Sequence, residues 1–344
     1  MADLLPKKYK FSHYFAFFLH DILARIIVEG EKDKIFHVKY KFKSESEVKL
    51  FEKLNLSGDE LWEWLEKNNY KWVIIELAKK QCLVALLSDF CHYIYESLTC
   101  SQKGKLTVSY ALLRKPFKEN LLYLEWLLSD PVDFSNTFHM SSPNNLSLSS
   151  ISKEKKIELI HDAMSKTSFG NWIKSDFIYE LRYEKRAHYG FESLWNQATH
   201  LITDFNAYKT ESENFNFVFS GEKEKISQWN HYYGIVPLLL FYSVEIINAL
   251  IHSITNVKYE DSLTSIRRLI GFFLWSKEIV TDNKAKMLTK TARDILKKLD
   301  LHCPLCKKKI SLGVRNLRLF FTNLKIVCST CGTEILFNQE YWQL

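Results

Sequence analysis

GIVPLLLFYSVEIINALI, residues 234–251, decides the fold class of this chain. The run is apolar around the whole circumference of a helix and about long enough to cross a bilayer. Glu245 sits inside it, and Pro237 lies near its start. A carboxylate in hydrocarbon is costly, so the run reads as the enclosed central helix of a soluble core, not as a span. Such a helix needs apolar neighbours, and the rest of the sequence supplies them. HYFAFFLHDILARIIVEG (13–30) is apolar on most faces, and a long helix is expected from about Tyr70 to Leu98. LTVSYALLRKPFKENLLYLEWLLSD (106–130) continues the pattern, with a kink or break at Pro116. Further helices fit 152–166, about 173–186, 224–255, 259–280 and 283–300.

Composition points the same way. The chain has 344 residues, 47% hydrophobic and 25% charged, enough for one large core and a smaller appended unit. Only 10 Gly and 6 Pro are present, which disfavours hairpin-rich folds and Gly-rich phosphate loops. There is no Walker A loop, GxGxxG, HExxH or GxSxG, so ATPase, dinucleotide enzyme, zinc protease and α/β-hydrolase readings lack their parts. The first residues carry no small-residue cleavage site after their apolar stretch, so a cytoplasmic protein with no membrane partner is expected.

Three segments break the helical pattern. Phe36, Val38, Tyr40 and Phe42 alternate, as in a short strand. Residues 129–150 are rich in Ser, Asn and Pro and read as a surface loop. NFNFVF (214–219) alternates and reads as a second strand. The expected fold is mainly α: an N-terminal helix and short strand over 1–50, a large helical-bundle body over 51–300, and a small C-terminal β-rich unit over 301–344.

That last unit carries the most specific motif. HCPLC (302–306) and CSTCG (328–332) are two Cys-x-x-Cys pairs. Each turn points two thiolates at one ion, so Cys303, Cys306, Cys328 and Cys331 form a tetrahedral set for structural Zn2+. The alternatives for paired cysteines are a disulfide or free core thiols, and a disulfide is disfavoured in a cytosolic chain. LRLFFTNLKIVC reads as a strand entering the second turn, and TEILFN as a strand leaving it. The pattern resembles a zinc ribbon over about 301–340. Cys82, Cys91 and Cys100 are spaced by nine, cannot line one helical stripe, and read as buried thiols.

Charge concentrates at the same end. Between Lys284 and Lys325 there are twelve Lys/Arg against Asp294 and Asp300. This segment is +10 in a chain of +7, which points to RNA or DNA as partner. The candidate nucleic-acid contacts are Lys290, Arg293, Lys297, Lys298, Lys307, Lys308, Lys309, Arg315 and Arg318. The alternative is a solvated lysine face on a helix.

One further segment, LRYEKRAHYG (181–190), places Arg182 and His188 at the expected end of a helix, before Gly190. This Arg-x5-His spacing in a helical body resembles the HEPN superfamily. The resemblance implies a metal-independent endoribonuclease of the kind found among toxins and antiphage defence proteins, with a homodimer building the cleft. In that reading His188 exchanges a proton with the 2′-hydroxyl or leaving oxygen, and Arg182 stabilises phosphate charge. Tyr183 stands where that family often has a small polar residue. The alternative is a polar helix end in which Arg and Lys pair with Glu180 and Glu184. Two functions therefore follow: a ribonuclease with a zinc ribbon for nucleic-acid engagement, or a non-catalytic nucleic-acid- or protein-binding module with structural zinc.

Overall fold

The computed structural model describes residues 3–54, 56, 58–140, 143–168, 173–255, 260–279 and 300–337. The chain begins with α1 (Lys10–Lys32), α2 (Glu45–Leu54), α3 (Asp59–Lys67), α4 (Lys71–Gln102) and α5 (Leu106–Arg114). A π-helical turn (Lys115–Asn120) joins α5 to α6 (Leu121–Ser129), followed by α7 (Pro131–Met140), α8 (Lys153–Ser165), α9 (Ser175–Tyr183) and α10 (Glu192–Thr199). Then come α11 (Glu222–Thr255), α12 (Ser262–Ile279) and α13 (Val314–Asn323). Two three-residue strands, β1 (Lys325–Val327) and β2 (Glu334–Leu336), pair antiparallel. The molecule is an all-α body with a small C-terminal β element.

The run 234–251 lies within α11, where nearly every residue from Tyr232 to Ile251 is enclosed. By length and composition α11 and Lys7–Lys32 are each apolar enough to cross a membrane. The protein itself buries 78% of the apolar window of α11, against 44% of the N-terminal one. Both irregular residues of α11 are accommodated. Pro237 has no N–H, so the carbonyl of Tyr233, four residues back, loses its helical donor. The Trp275 indole on α12 donates to that oxygen instead, at 2.7 Å. Glu245 accepts from Arg268 at 2.5 Å and from Ser168 Oγ at 2.7 Å, and Arg268 is shared with Glu260.

Helix α1 packs against both α4 and α11, through Phe15, Leu19, Leu23 and Ile26. Helix α4 buries Leu83, Leu87, Phe90, Ile94 and Leu98, a helical stripe of the spacing that faces one neighbour. Residues 10–32, the body and the C-terminal unit all contribute to one apolar core, rather than to three separate ones. A satellite core of Trp64, Leu65, Tyr70 and Val73 lies under residues 38–56. Cys91 is buried, and Cys82 and Cys100 are half-buried. Burial pushes the Cys82 thiol up to about 11 and the Cys91 thiol up to about 12, so both stay protonated and inert.

Four expectations about local structure are corrected. Residues 38–42 form no strand, and Val38, Tyr40 and Phe42 pack on the satellite core. Residues 214–219 form no strand: 216–219 are a turn, in which Phe217 adopts φ 62° and breaks the alternation. Residues 129–150 contain α7, which starts with Asp130 accepting from the Asp133 N–H at 2.9 Å and Pro131 in the first turn. Leu317, Phe320 and Phe321, read as part of a strand, are the buried face of α13. Of the helix expected over 283–300, residues 283–299 lie outside the described residues.

Candidate metal centre and the Arg182 cluster

The two Cys-x-x-Cys turns are built alike. The Cys303 carbonyl accepts from the Lys307 N–H, and the Cys328 carbonyl accepts from the Gly332 N–H, each at 2.9 Å. The Cys303 N–H donates to Lys308 O, and the Cys328 N–H donates to Thr333 O, again at 2.9 Å. The fifth residue of each turn, Lys307 or Gly332, is left-handed, with φ 59° and 74°. Glycine takes that conformation at no steric cost, and lysine does so only under constraint. The matched turns bring the four sulfurs together. Cys303 and Cys331 Sγ are 3.6 Å apart, Cys306 and Cys328 Sγ are 3.7 Å apart, and all four lie within 4.8 Å of one another. All four are free thiols. They form a cluster that could hold a metal ion.

The electrostatics favour thiolate at the second turn. The Thr333 hydroxyl and backbone N–H hold Cys331 down to about 6, and the backbone N–H groups of Cys331 and Thr330 lower Cys328. The Lys308 N–H also favours the Cys306 thiolate, yet burial and the three neighbouring thiols push Cys306 up to about 11. Four thiolates in one place would repel one another, and a bound cation would offset that charge.

The cluster is anchored to the body by α13. Asn316 donates to Ser311 O and Val327 O and accepts from the Val327 N–H, tying both sides of the unit together. Phe321 inserts among Phe11, Tyr14, Phe15 and Phe18 of α1. Gly271 on α12 makes room, since a Cβ there would stand 2.6 Å from both Phe15 and Phe321. Arg267 donates to Phe321 O at 2.6 Å and lies 4.6 Å from the Phe18 ring centre. Sequence reasoning missed Asn316, Phe321 and Thr333. The legible signal was the helical spacing of Leu317, Phe320 and Phe321.

Of the expected nucleic-acid contacts, Lys307, Lys308, Lys309, Arg315 and Arg318 are exposed around this unit. Lys309 pairs with Asp300 at 2.8 Å, and Arg318 pairs with Glu278. Among the described residues no carboxylate pairs with Lys307, Lys308 or Arg315. Lys290, Arg293, Lys297 and Lys298 lie outside the described residues.

Arg182 and His188, expected to share a cleft, are not brought together. Arg182 is 0% exposed. Its Nε donates to Phe117 O at 2.6 Å, one terminal nitrogen to Glu125 at 2.5 Å, and the other to Tyr183 Oη at 3.0 Å. Glu125 is equally enclosed and also accepts from the Tyr242 hydroxyl at 2.5 Å. Tyr183 in turn donates to Lys118 O at 2.7 Å. Burial raises the Glu125 carboxyl above its usual range, and Arg182 opposes that shift. Burial disfavours the Arg182 cation, but Glu125 outweighs it and keeps the guanidinium charged. His188 lies beyond the end of α9 and faces solvent. The expected pairing with Glu180 and Glu184 is not made either, because Tyr189 bonds Glu180 and Glu184 accepts from the Arg186 N–H.

Compared with known proteins, the chain matches no family model, no curated protein and no solved structure.

Proposed function

We propose that the four cysteines hold a structural zinc ion, and that the C-terminal unit organised by it engages nucleic acid. The observation that carries this reading is the spacing of the sulfurs. A tetrahedral zinc with sulfur at about 2.3 Å requires sulfur–sulfur edges of about 3.8 Å. The observed edges of 3.6 and 3.7 Å agree. Four cysteine ligands leave no position for substrate, so the ion's contribution is to folding. The +10 segment and the exposed Lys307, Lys308 and Arg315 supply phosphate contacts that depend on charge, not on base sequence.

Metal analysis of the purified chain tests the first half, with about one zinc per chain expected from four cysteine ligands. Salt titrations of binding to single-stranded RNA and duplex DNA test the second. Each phosphate contact adds about −0.9 to the log–log salt slope on duplex and about −0.7 on single strands. Replacing Lys307, Lys308 and Arg315 by Gln flattens the slope with the zinc content unchanged. A chain without zinc, or one that binds neither nucleic acid at low salt, overturns the reading.

The ribonuclease implied by the HEPN resemblance draws no support from Arg182, whose guanidinium has no open face for a phosphate. Cleavage of mixed RNA by the wild type in zinc buffer, lost in His188→Ala, would restore it.

A further inference from the structure

The two cysteine turns share one backbone and differ in what they display. In each, the first cysteine's carbonyl accepts from the N–H four residues on, and the fifth residue is left-handed. Their exposed side chains do not correspond. The first turn shows Pro304, Leu305, Lys307 and Lys308 to solvent, and the second shows Ser329, Thr330 and Gly332 around Cys331. The second turn holds the same geometry without an apolar or charged tip, so the cysteine cluster does not require the tip of the first.

Two of these side chains stand where water or sterics disfavour them. Leu305 is 71% exposed, the highest value of any large apolar side chain among the described residues. It occupies the apex of the turn, directly after Pro304, whose ring fixes φ. A stiff apex loses little conformational entropy on contact. Lys307 holds φ 59° at the position where the second turn has Gly332. A Cβ there crowds the following carbonyl, and glycine escapes the crowding. A lysine kept in a conformation that favours glycine points to a use for its side chain.

The charge beside Leu305 is not cancelled from within the unit. Residues 300–337 hold two carboxylates, Asp300 and Glu334, and each is already paired, with Lys309 at 2.8 Å and with Lys325 at 2.7 Å. Glu278 of α12 is taken by Arg318. The turn thus offers one apolar side chain and two uncompensated cations. The partner that matches has an open apolar face beside closely spaced negative charges. An unpaired nucleotide has both, a base face and flanking phosphates, whereas a duplex hides its base faces in the stack. A bilayer would be held through a single leucine, too little apolar area for stable insertion. Resting on the nucleic-acid reading above, we infer that the first cysteine turn grips single-stranded nucleic acid, with Leu305 against the face of an unpaired base and Lys307 and Lys308 on neighbouring phosphates.

Fluorescence anisotropy of the full chain in zinc buffer, with oligothymidine and with duplex DNA of the same length, tests this. Leu305→Ser is expected to weaken single-strand binding about fivefold, with the log–log salt slope unchanged, because the lost contact is apolar. Its duplex binding stays at the wild-type value. Lys307→Gly flattens the single-strand salt slope by about 0.7. Its melting temperature stays at or above that of the wild type, because glycine relieves the turn; a lysine needed only for structure would give the opposite. Thr330→Ala, at the matching apex of the second turn, binds like the wild type. Single-strand affinity that ignores Leu305 overturns the inference, as does an equal loss on duplex, an equal loss in Thr330→Ala, an unchanged slope in Lys307→Gly, or a lowered melting temperature in that variant. Wild type that binds phosphatidylserine vesicles in place of both oligonucleotides, and loses this in Leu305→Ser, assigns the turn to a lipid surface and also overturns it. Binding to neither oligonucleotide defeats the functional reading as well, whereas binding that ignores Leu305 defeats this inference alone.

Discussion

The Arg182 cluster and the cysteine cluster are both dense groups of polar atoms packed against the same apolar core, yet they differ in completeness. Around Arg182 every donor of the guanidinium that the structure engages meets an oxygen of the chain itself, and Glu125 balances the charge. Around Cys303, Cys306, Cys328 and Cys331 the matched turns bring together four sulfurs in a group that could hold a metal ion. The first cluster balances its charge within the chain, although Glu125 Oε2 has no hydrogen-bond partner among the described residues. The second gathers four thiols whose ionised form a cation would balance.

The proposed zinc gives the largest test of this contrast. Structural zinc contributes on the order of 10 kcal/mol in small domains. Chelation, or Cys328→Ser, is therefore expected to unfold the C-terminal unit and withdraw Phe321 from α1. A melt with and without chelator, read with an apolar dye, checks this, and an unchanged melt would break the comparison. At the closed cluster, Arg182→Met leaves Glu125 enclosed without its cation and should cost about 3–5 kcal/mol in urea unfolding. Adding Glu125→Leu is expected to recover part of that loss, and identical stability of the single and double variants would contradict a paired interior.

The link between the clusters and the core is tested by Phe321→Ala. It should cost about 3 kcal/mol while zinc content stays at the wild-type value. Falling pH probes a further enclosed group, His13, which bonds Tyr233 Oη at 2.8 Å and which burial lowers to about 4. The unfolded chain binds that proton near 6.5 and the folded chain does not. The contribution of neutral His13 is full above about pH 6.5 and is lost as pH falls toward 4, at roughly 3 kcal/mol by linkage. Comparing wild type with His13→Phe across that window isolates it. The smallest effect belongs to His188, which is exposed. His188→Ala should change stability by less than about 0.5 kcal/mol.

These contrasts also explain what the sequence disclosed. The run at 234–251 and the two Cys-x-x-Cys pairs were legible because each carries its physics locally, in continuous apolarity or in ligand spacing. The alternation at 36–42 read as a strand, and Val38, Tyr40 and Phe42 do pack on the satellite core, but a strand also needs a partner, which lies outside any local pattern. Asp130 followed by Pro131 was a readable helix start hidden in a loop-like composition. The partners of Arg182 were not readable, since Phe117 and Glu125 lie far away along the chain. Glu245 met the same limit: its charge was visible, its Arg268 partner was not.

The π-helical turn at Lys115–Asn120 gives Arg182 its acceptor, the carbonyl of Phe117. Each residue of an α-helix advances the side chains by about 100°. The π turn closes i→i+5 bonds, so it holds one more residue than an α turn over nearly the same rotation. It acts as a spacer that absorbs the extra residue while the side chains of α6 keep their direction. Deleting one residue within the turn is expected to restore regular α-helix with Glu125 still on the Arg182 side. Deleting one residue of α6 between the turn and Glu125 would instead rotate that carboxylate by about 100°, away from the guanidinium.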